Sequence, residues 1–264
     1  MALYESLASA YDALFPQPET ATAYLSGLRP GGGQRSGGDL RPEGAPPPRV
    51  LDLGSATGSQ LLALARLGWA GVGLEPCLPM LVQAREAAAH AGLEGALAFE
   101  EGGMEDAALR FPKASFDLVL CLGNTLPHLK GRAELRTFAR DARGILKPGG
   151  NLVLQLLNYR PVLTALAAAP VFRLPEIEAP GIRFSRRYEE TAEGNLRFLT
   201  ELKLGNDAPL GDETLLSPFL PADLEAALAE AGFTTAERLP SWKGGAFREE
   251  NDPYLILRAA PATD

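Results

Sequence analysis

The stretch that decides the fold is Val50-Leu51-Asp52-Leu53-Gly54-Ser55-Ala56-Thr57-Gly58-Ser59. Its apolar start predicts a buried strand over Val50–Gly54, which a loop of small residues joins to a helix beginning at Ser59. The two glycines allow the backbone to turn sharply and to approach a ligand closely. In open α/β sheets, ligands bind at the carboxyl ends of the strands, so this turn is expected to face one. The alternative is a tight turn that needs its glycines for geometry alone.

After this turn, short apolar runs alternate with helical patterns along much of the chain. Six further strands are predicted at Gly71–Glu75, Ala96–Glu100, Phe116–Leu122, Leu152–Leu157, Phe233–Leu239 and Tyr254–Ala259. Helices are predicted at Ser59–Leu67, Pro79–Ala91, Ala133–Leu146 and Pro221–Ala231, the third ended by Pro148-Gly149-Gly150. This rhythm predicts an α/β fold with a seven-stranded, mostly parallel sheet and helices on both faces.

The chain is expected to divide into five segments. They are an N-terminal helical lid (residues 1–28), a flexible loop (29–48), a ligand-binding core (49–159), a β-rich cap insertion (160–220) and a C-terminal helix with strands (221–264). The loop is predicted because 12 of the 22 residues from Gly27 to Pro48 are Gly or Pro. The cap is predicted to contain a hairpin of Ile182–Glu189 and Leu196–Leu204. Arg186 and Arg187 are interpreted as its solvated face, with binding of an acidic substrate as the alternative.

Composition narrows the classes of function. The 264 residues carry a formal net charge of −8, which disfavours a nucleic-acid partner. No apolar stretch reaches the length of a membrane span, and the first twenty residues lack a secretory signal, so a cytoplasmic protein with no membrane partner is expected. Cys77 and Cys121 are expected to be buried free thiols, and the two histidines, His90 and His128, offer no metal site.

The acids near the turn indicate the kind of ligand. Asp52 lies two residues before Gly54, where a carboxylate suits a cationic group better than a pyrophosphate. Glu75 ends the second strand 21 positions after Gly54, a distance that suits hydrogen bonds to ribose hydroxyls. Ala56 breaks the G-x-G-x-x-G dinucleotide pattern, which argues against a nicotinamide-dependent oxidoreductase.

These residues resemble the motifs of the class I S-adenosylmethionine (SAM)-dependent methyltransferases, a Rossmann-like family. The stretch from Asp52 to Gly58 is similar to their D-x-G-x-G-T-G motif, Val72–Glu75 to their second motif, and Lys147-Pro148-Gly149-Gly150 to their L-K-P-G-G signature. Cys121–Leu129 is nearest to the L-G-N-S-x-x-H-L segment of the glycine/sarcosine N-methyltransferase group. Leu157-Asn158-Tyr159 resembles that group's R-N-Y segment, but a leucine replaces the arginine that would hold a glycine carboxylate.

The resemblance implies a role for each matched residue. Asp52, Gly54 and Gly58 would surround the methionine part of SAM, Glu75 would bind the ribose, and Met104 would lie near the adenine. Leu122 and Gly123 would line the methyl-donor side. The full implied set for the cofactor is Asp52, Gly54, Ser55, Ala56, Gly58, Glu75, Pro76, Met104, Leu122 and Gly123. Gly103 stands where many relatives have an aspartate that bonds the adenine amino group.

Three residues are candidates for the catalytic side of the site. His128 is interpreted as a general base or a residue that orients the acceptor, or else as a turn histidine bonded to nearby backbone. Asn124 would bond the acceptor or cap the helix that follows the fourth strand. Tyr11 would line the lid or simply pack.

The resulting hypothesis is a methyltransferase that uses SAM and acts on a small-molecule acceptor, nitrogen more readily than oxygen. The transfer is an in-line displacement that depends on positioning and on the exclusion of water. The alternatives are a non-catalytic SAM-binding or interaction module and the oxidoreductase. A nucleic-acid methyltransferase is disfavoured by the acidic balance.

Overall fold

The computed structural model describes residues 7–29 and 44–262. Most of the predicted flexible loop, residues 30–43, therefore lies outside the described residues. The strands are β1 Arg49–Leu53, β2 Ala70–Glu75, β3 Leu97–Glu101, β4 Phe116–Cys121, β5 Leu146–Leu157, β6 Phe172–Arg173, β7 Ile177–Ala179, β8 Ile182–Glu190, β9 Leu196–Leu204, β10 Leu210–Leu216, β11 Phe233–Leu239 and β12 Tyr254–Pro261. The α-helices are α1 Tyr11–Leu14, α2 Glu19–Ser26, α3 Ser59–Arg66, α4 Leu78–His90, α5 Ala107–Arg110, α6 Arg132–Ile145, α7 Tyr159–Leu166 and α8 Pro221–Glu230.

A seven-stranded sheet forms the centre of the fold, as predicted. Its strand order is β11-β12-β5-β4-β1-β2-β3, and only β12 runs antiparallel to its neighbours. Every residue of β4 is buried, in keeping with a central strand covered on both faces. The order of the strands reverses between β1 and β4, which opens a crevice at their carboxyl ends.

Helices cover both faces of this sheet, and an apolar cluster lies between the sheet and the helices on each face. On one face, α6 and α8 bury apolar residues such as Phe138 and Leu224 in the larger cluster. On the other, α3 and α4 bury Leu61, Leu81 and the fully enclosed Trp69. The layered α/β arrangement therefore follows from the apolar stripes that the sequence places on these helices.

The start of β5 differs from the sequence-based expectation. We expected α6 to be ended by Pro148-Gly149-Gly150 and a strand to follow at Leu152. Instead α6 ends at Ile145, and the strand begins at Leu146, so that these residues lie within β5. The pairing with β4 shifts between Phe116 and Leu118, and Gly149 has a φ of +76°, which lets the extra residues bulge outward without breaking the strand.

The insertion after β5 forms a second, antiparallel sheet, which confirms the β-rich cap. The hairpin of β8 and β9 is present, with Ile182 opposite Leu204 and Glu190 opposite Leu196. The sheet is larger than predicted, because β10 pairs with β9, and the short strands β6 and β7 pair with β8. Strands of two and three residues leave no alternation for a sequence pattern to reveal.

The N-terminal segment consists of a short 3-10 turn over Ala8–Ala10 followed by α1 and α2, which are separated at Pro16–Pro18. Leu7, Ala10 and Leu14 pack against Phe184 and Leu202 of the cap sheet. None of the helices within the described residues is long and apolar enough to cross a membrane.

Candidate functional site

The carboxyl ends of β1 and β4 open into a cavity of about 1020 Å³. The core sheet forms its floor, the N-terminal segment and the β4 loop form its sides, and the cap sheet closes it. All but one of the predicted site residues line this cavity: Tyr11, Asp52, Gly54, Ser55, Ala56, Glu75, Pro76, Met104, Leu122, Gly123, Asn124 and His128. The exception is Gly58, which belongs to the turn after β1 but does not line the cavity.

The glycines of the β1 turn are required by its backbone. Gly54 has a φ of +79°, and a Cβ there would lie 2.6 Å from the side chain of Thr125. Gly58 has a φ of +75°, and a Cβ there would lie 2.6 Å from the ring of Phe99. Ala56 also takes a left-handed conformation, with a φ of +48°, which L side chains rarely adopt. The turn therefore accommodates the alanine at a cost in backbone strain.

Glu75 is fixed at the tip of β2 by the neighbouring backbone. Its two carboxylate oxygens accept hydrogen bonds from the N–H groups of Ala56, at 2.8 Å, and Cys77, at 2.9 Å. Burial raises the pKa of this carboxyl, and the two N–H groups partly oppose that shift. The hydrogen bonds hold Glu75 in one orientation on the cavity wall. Its remaining lone pairs can accept hydrogen bonds from the hydroxyl groups of a ligand.

Asp52 is the most perturbed acid of the site. Its side chain is 3% exposed, and its Oδ1 is buried with no hydrogen-bond partner among the described residues. Burial, followed by the negative charge of Glu75, raises its pKa to about 7. The hydroxyl of Ser55 is likewise buried without a partner in the part of the chain that the structure describes. Buried polar atoms are costly when unpaired, so these two point to a ligand that supplies a donor, preferably a cationic one.

Glu105 lies beside the glycine that replaces an aspartate of the resembled family. A Cβ on Gly103 would clash with both oxygens of the Glu105 carboxylate. Both residues line the cavity next to Met104. A carboxylate therefore occupies the space that a longer side chain at Gly103 would fill. No sequence motif marks Glu105, because it lies two positions after Gly103, where the family pattern has its aspartate.

The loop after β4 is held rigid by polar contacts with β5. The backbone N–H groups of Gly123 and Asn124 donate to the side chain and the backbone carbonyl of Gln155, at 2.7 and 3.1 Å. The Asn124 amide oxygen accepts the N–H of Leu157 at 3.0 Å, and the hydroxyl of Tyr159 lies 3.1 Å from it. The interpretation of Asn124 as a helix cap is therefore wrong, since its side chain ties the loop to the sheet.

Gln155 could have been noticed in the sequence. It is the single polar residue in the apolar run Leu152–Leu157 of a buried strand, where an unpaired amide would be unfavourable. The structure shows its side chain at the cavity wall, bonded to the Gly123 N–H.

His128 ends a short 3-10 turn, Leu126–His128, on the cavity wall. Its ring makes no hydrogen bond to the described residues, so the interpretation as a turn histidine bonded to backbone finds no support. The ring is exposed toward the cavity, yet the surrounding protein desolvates it and lowers the pKa of the imidazole. At neutral pH this imidazole is therefore uncharged and free to accept a proton.

The N-terminal segment is bonded directly to the β1 turn. Asp12 accepts a hydrogen bond from the hydroxyl of Thr57 at 2.6 Å, and the amide of Gln17 contacts that of Gln60. Tyr11 lines the cavity, with its hydroxyl 3.9 Å from where a Cβ of Gly123 would be. These contacts hold the segment against the site, where it forms part of the cavity wall.

The cap sheet contributes the wall opposite the core, and there one interpretation of the sequence is wrong. Arg186 lies on the cavity side of β8, between Phe184 and Tyr188, and is not a solvated hairpin residue. The period-two pattern could have revealed this, since residues 184, 186 and 188 share one face of a strand.

Comparison with known proteins agrees with this geometry. Residues 50–150 match a family model described as a methyltransferase domain. A ubiquinone biosynthesis O-methyltransferase of Xanthomonas euvesicatoria pv. vesicatoria (strain 85-10) is 28% identical over 145 residues, 55% of this chain and 58% of that protein. The glycine N-methyltransferase of Rattus norvegicus is 32% identical over 132 residues, 46% of this chain and 44% of that protein. The chain thus spans about half the length of these curated relatives.

A solved structure extends the likeness over the whole chain. It is described as an S-adenosylmethionine-dependent methyltransferase from Clostridium acetobutylicum ATCC 824 and superimposes with a TM-score of 0.74. The match covers 99% of this chain and 100% of that one, at 12% sequence identity. The shared fold therefore includes the cap and the N-terminal segment as well as the central sheet.

Proposed function

We propose that this chain is an S-adenosylmethionine-dependent methyltransferase acting on a small-molecule acceptor, nitrogen more readily than oxygen. The observation that carries the proposal is the carboxyl Oδ1 of Asp52, which has no partner in the described part of the chain and lines the cavity with the anchored Glu75. The methyltransferase-domain match over residues 50–150 and the names of the relatives support the same activity.

The residues around the β1 turn fit the three parts of SAM. The carboxylate of Asp52 and the hydroxyl of Ser55 suit the ammonium and carboxylate groups of its methionine part. Glu75 has lone pairs left for the two ribose hydroxyls. The carboxylate of Glu105 lies beside Gly103, where it can accept a hydrogen bond from the adenine amino group in place of the missing aspartate.

The chain's contribution to the chemistry is positioning and shielding. SAM supplies a methyl group that is already activated as part of a sulfonium. The loop after β4 is fixed to β5 through Asn124 and Gln155. It would lie between the bound donor and the acceptor and keep both in a constant relative position. The lid and the cap keep water out, which favours a collinear displacement between held groups.

His128 is the residue best placed to handle a proton. Its neutral imidazole faces the cavity without a hydrogen-bond partner among the described residues. A neutral amine attacks without prior deprotonation and loses its proton afterwards, whereas a hydroxyl must be activated first. The likeness of Cys121–Leu129 to the glycine/sarcosine segment favours nitrogen, while Leu157 argues against glycine itself.

The test is a transfer assay with pairs of acceptors that differ only in an amine or a hydroxyl. The protein is incubated with SAM, and both the methylated product and S-adenosylhomocysteine are measured by mass spectrometry. We expect transfer to one or more amines, and at a SAM concentration below its Kd we expect transfer by Asp52→Asn to be at least about tenfold slower. SAM binding with no turnover in any pair would favour the non-catalytic module. Faster transfer to the hydroxyl partners would contradict the nitrogen preference.

A further inference from the structure

Arg186 is a cation that the cap sheet turns toward the cavity. It lies opposite Thr200 in the β8–β9 pairing and lines the cavity together with Tyr188 and Phe198. The rings of Tyr188 and Phe198 stack at 4.9 Å. The guanidinium carbon lies 5.7 Å from the centre of the Phe184 ring, so the cation is presented among three aromatic side chains of the cap.

The guanidinium lacks the acidic partner that its neighbours have. Arg183 pairs with Glu178 at 3.2 Å, and Arg187 pairs with Glu189 at 3.4 Å. Arg186 forms no ion pair with any described residue, and its buried Nε has no hydrogen-bond partner there either. One Nη donates to the carbonyl of Pro175 at 2.9 Å, which leaves the buried Nε–H and the other Nη able to donate to a ligand.

Burying an arginine in this way costs free energy unless an anion compensates it. Burial lowers the pKa of Arg186, against the opposing influence of the Tyr254 and Tyr188 hydroxyls. Asp212 shares this face of the sheet but lies two strands away, across Thr200. Its Oδ1 already accepts the N–H of Glu213 at 2.8 Å. Within residues 7–29 and 44–262, therefore, no acidic side chain forms an ion pair with this cation.

We propose that Arg186 binds an oxyanion of the methyl acceptor, a carboxylate or a phosphate, while the neighbouring aromatic rings contact the apolar part of the same molecule. A guanidinium fork is suited to bidentate binding of such groups. This inference rests on the proposed function, and it narrows the acceptor to an anionic small molecule. The anion would then bind to the cap. The end of β5 offers no cation for it, since Leu157 stands where the resembled group has an arginine.

The test uses small aromatic probes that differ only in the anionic group. The protein saturated with S-adenosylhomocysteine is titrated by calorimetry with benzoate, phenyl phosphate and benzamide, each to 20 mM. We expect one or both anions to bind at least tenfold more tightly than benzamide, and Arg186→Met to lose that preference. The comparison of benzoate with phenyl phosphate distinguishes the two oxyanions. Arg187→Met is the matched control, since Arg187 does not line the cavity and pairs with Glu189.

Thermal stability separates binding from a structural role. If Arg186 serves to bind an anion, Arg186→Met without probe should be at least as stable as the unchanged protein. The variant should also lose the stabilisation that the anion gives to the unchanged protein. Equal binding of benzamide, absence of anion binding, or the same loss with Arg187→Met would overturn the inference. Failure of S-adenosylhomocysteine to bind in the first step would instead contradict the proposed function.

Discussion

Donor binding should depend on pH through Asp52. Burial and the charge of Glu75 raise the pKa of this carboxyl to about 7 in the donor-free protein. A donor ammonium would hold it ionised, so binding selects the deprotonated form and releases a proton. Affinity for S-adenosylhomocysteine should therefore rise with pH through the pKa of Asp52 and level off once this carboxyl is fully ionised.

The magnitude follows from the pKa. With a pKa of about 7, the fraction of ionised Asp52 is roughly one tenth at pH 6 and three quarters at pH 7.5, so affinity should rise about eightfold. The stability of the donor-free protein should change in the opposite direction. The folded state retains protons on Asp52 and Glu75 that the unfolded chain has lost, so the free energy of unfolding falls as pH rises from about 4 to 7.

Calorimetry at pH 6.0, 6.5, 7.0 and 7.5, in buffers of different ionisation enthalpy, measures both the affinity and the proton release. Asp52→Asn should bind about 10-fold more weakly or worse at pH 7.5 and lose the dependence on pH. Asp117→Asn is the control, because Asp117 is a buried acid paired with Lys147 at 2.7 Å and does not line the cavity. An affinity that is flat or falls over this range in the unchanged protein would refute the reasoning.

Three further predictions concern the turn and the lid. Gly54→Ala and Gly92→Ala both place a Cβ at positive φ, but only the first lacks space for it. Both should lose stability in urea denaturation, yet only Gly54→Ala should lose donor binding; equal loss would contradict the site. Ala56→Gly should raise the free energy of unfolding by about 0.5–1 kcal/mol, because it relieves a φ of +48°, and a lower value would count against strain there. Asp12→Asn should weaken the hydrogen bond from Thr57 and speed donor dissociation about fivefold in stopped-flow experiments, whereas an unchanged rate would show that the lid is held otherwise.

The central sheet was predictable because its signals are local and repeated. The fully apolar run of β4 and the glycine turn after β1 determine where strands end and helices begin. The same signals located the part of the cavity that we propose binds the donor, since Asp52 and Glu75 both lie at strand ends, which the topology brings to one edge.

The side that we propose for the acceptor was less predictable because it depends on contacts between distant segments. Arg186 and Gln155 are 31 positions apart and reach one cavity only after the cap folds back over the sheet. The role of Asn124 depends on the N–H of Leu157, a pairing that no local pattern encodes. Arg186 is the exception that strand periodicity could have revealed, since its two flanking aromatic residues mark the buried face.

The measurement that tests the central claim most directly is calorimetric titration of the protein with SAM, S-adenosylhomocysteine and NADH under the same conditions. Asp52, whose Oδ1 has no hydrogen-bond partner among the described residues, and the anchored Glu75 predict micromolar binding of the first two and no heat from NADH. Binding of NADH with no response to SAM would contradict the account, and it would show that this cavity shares its fold with the methyltransferases but not their donor.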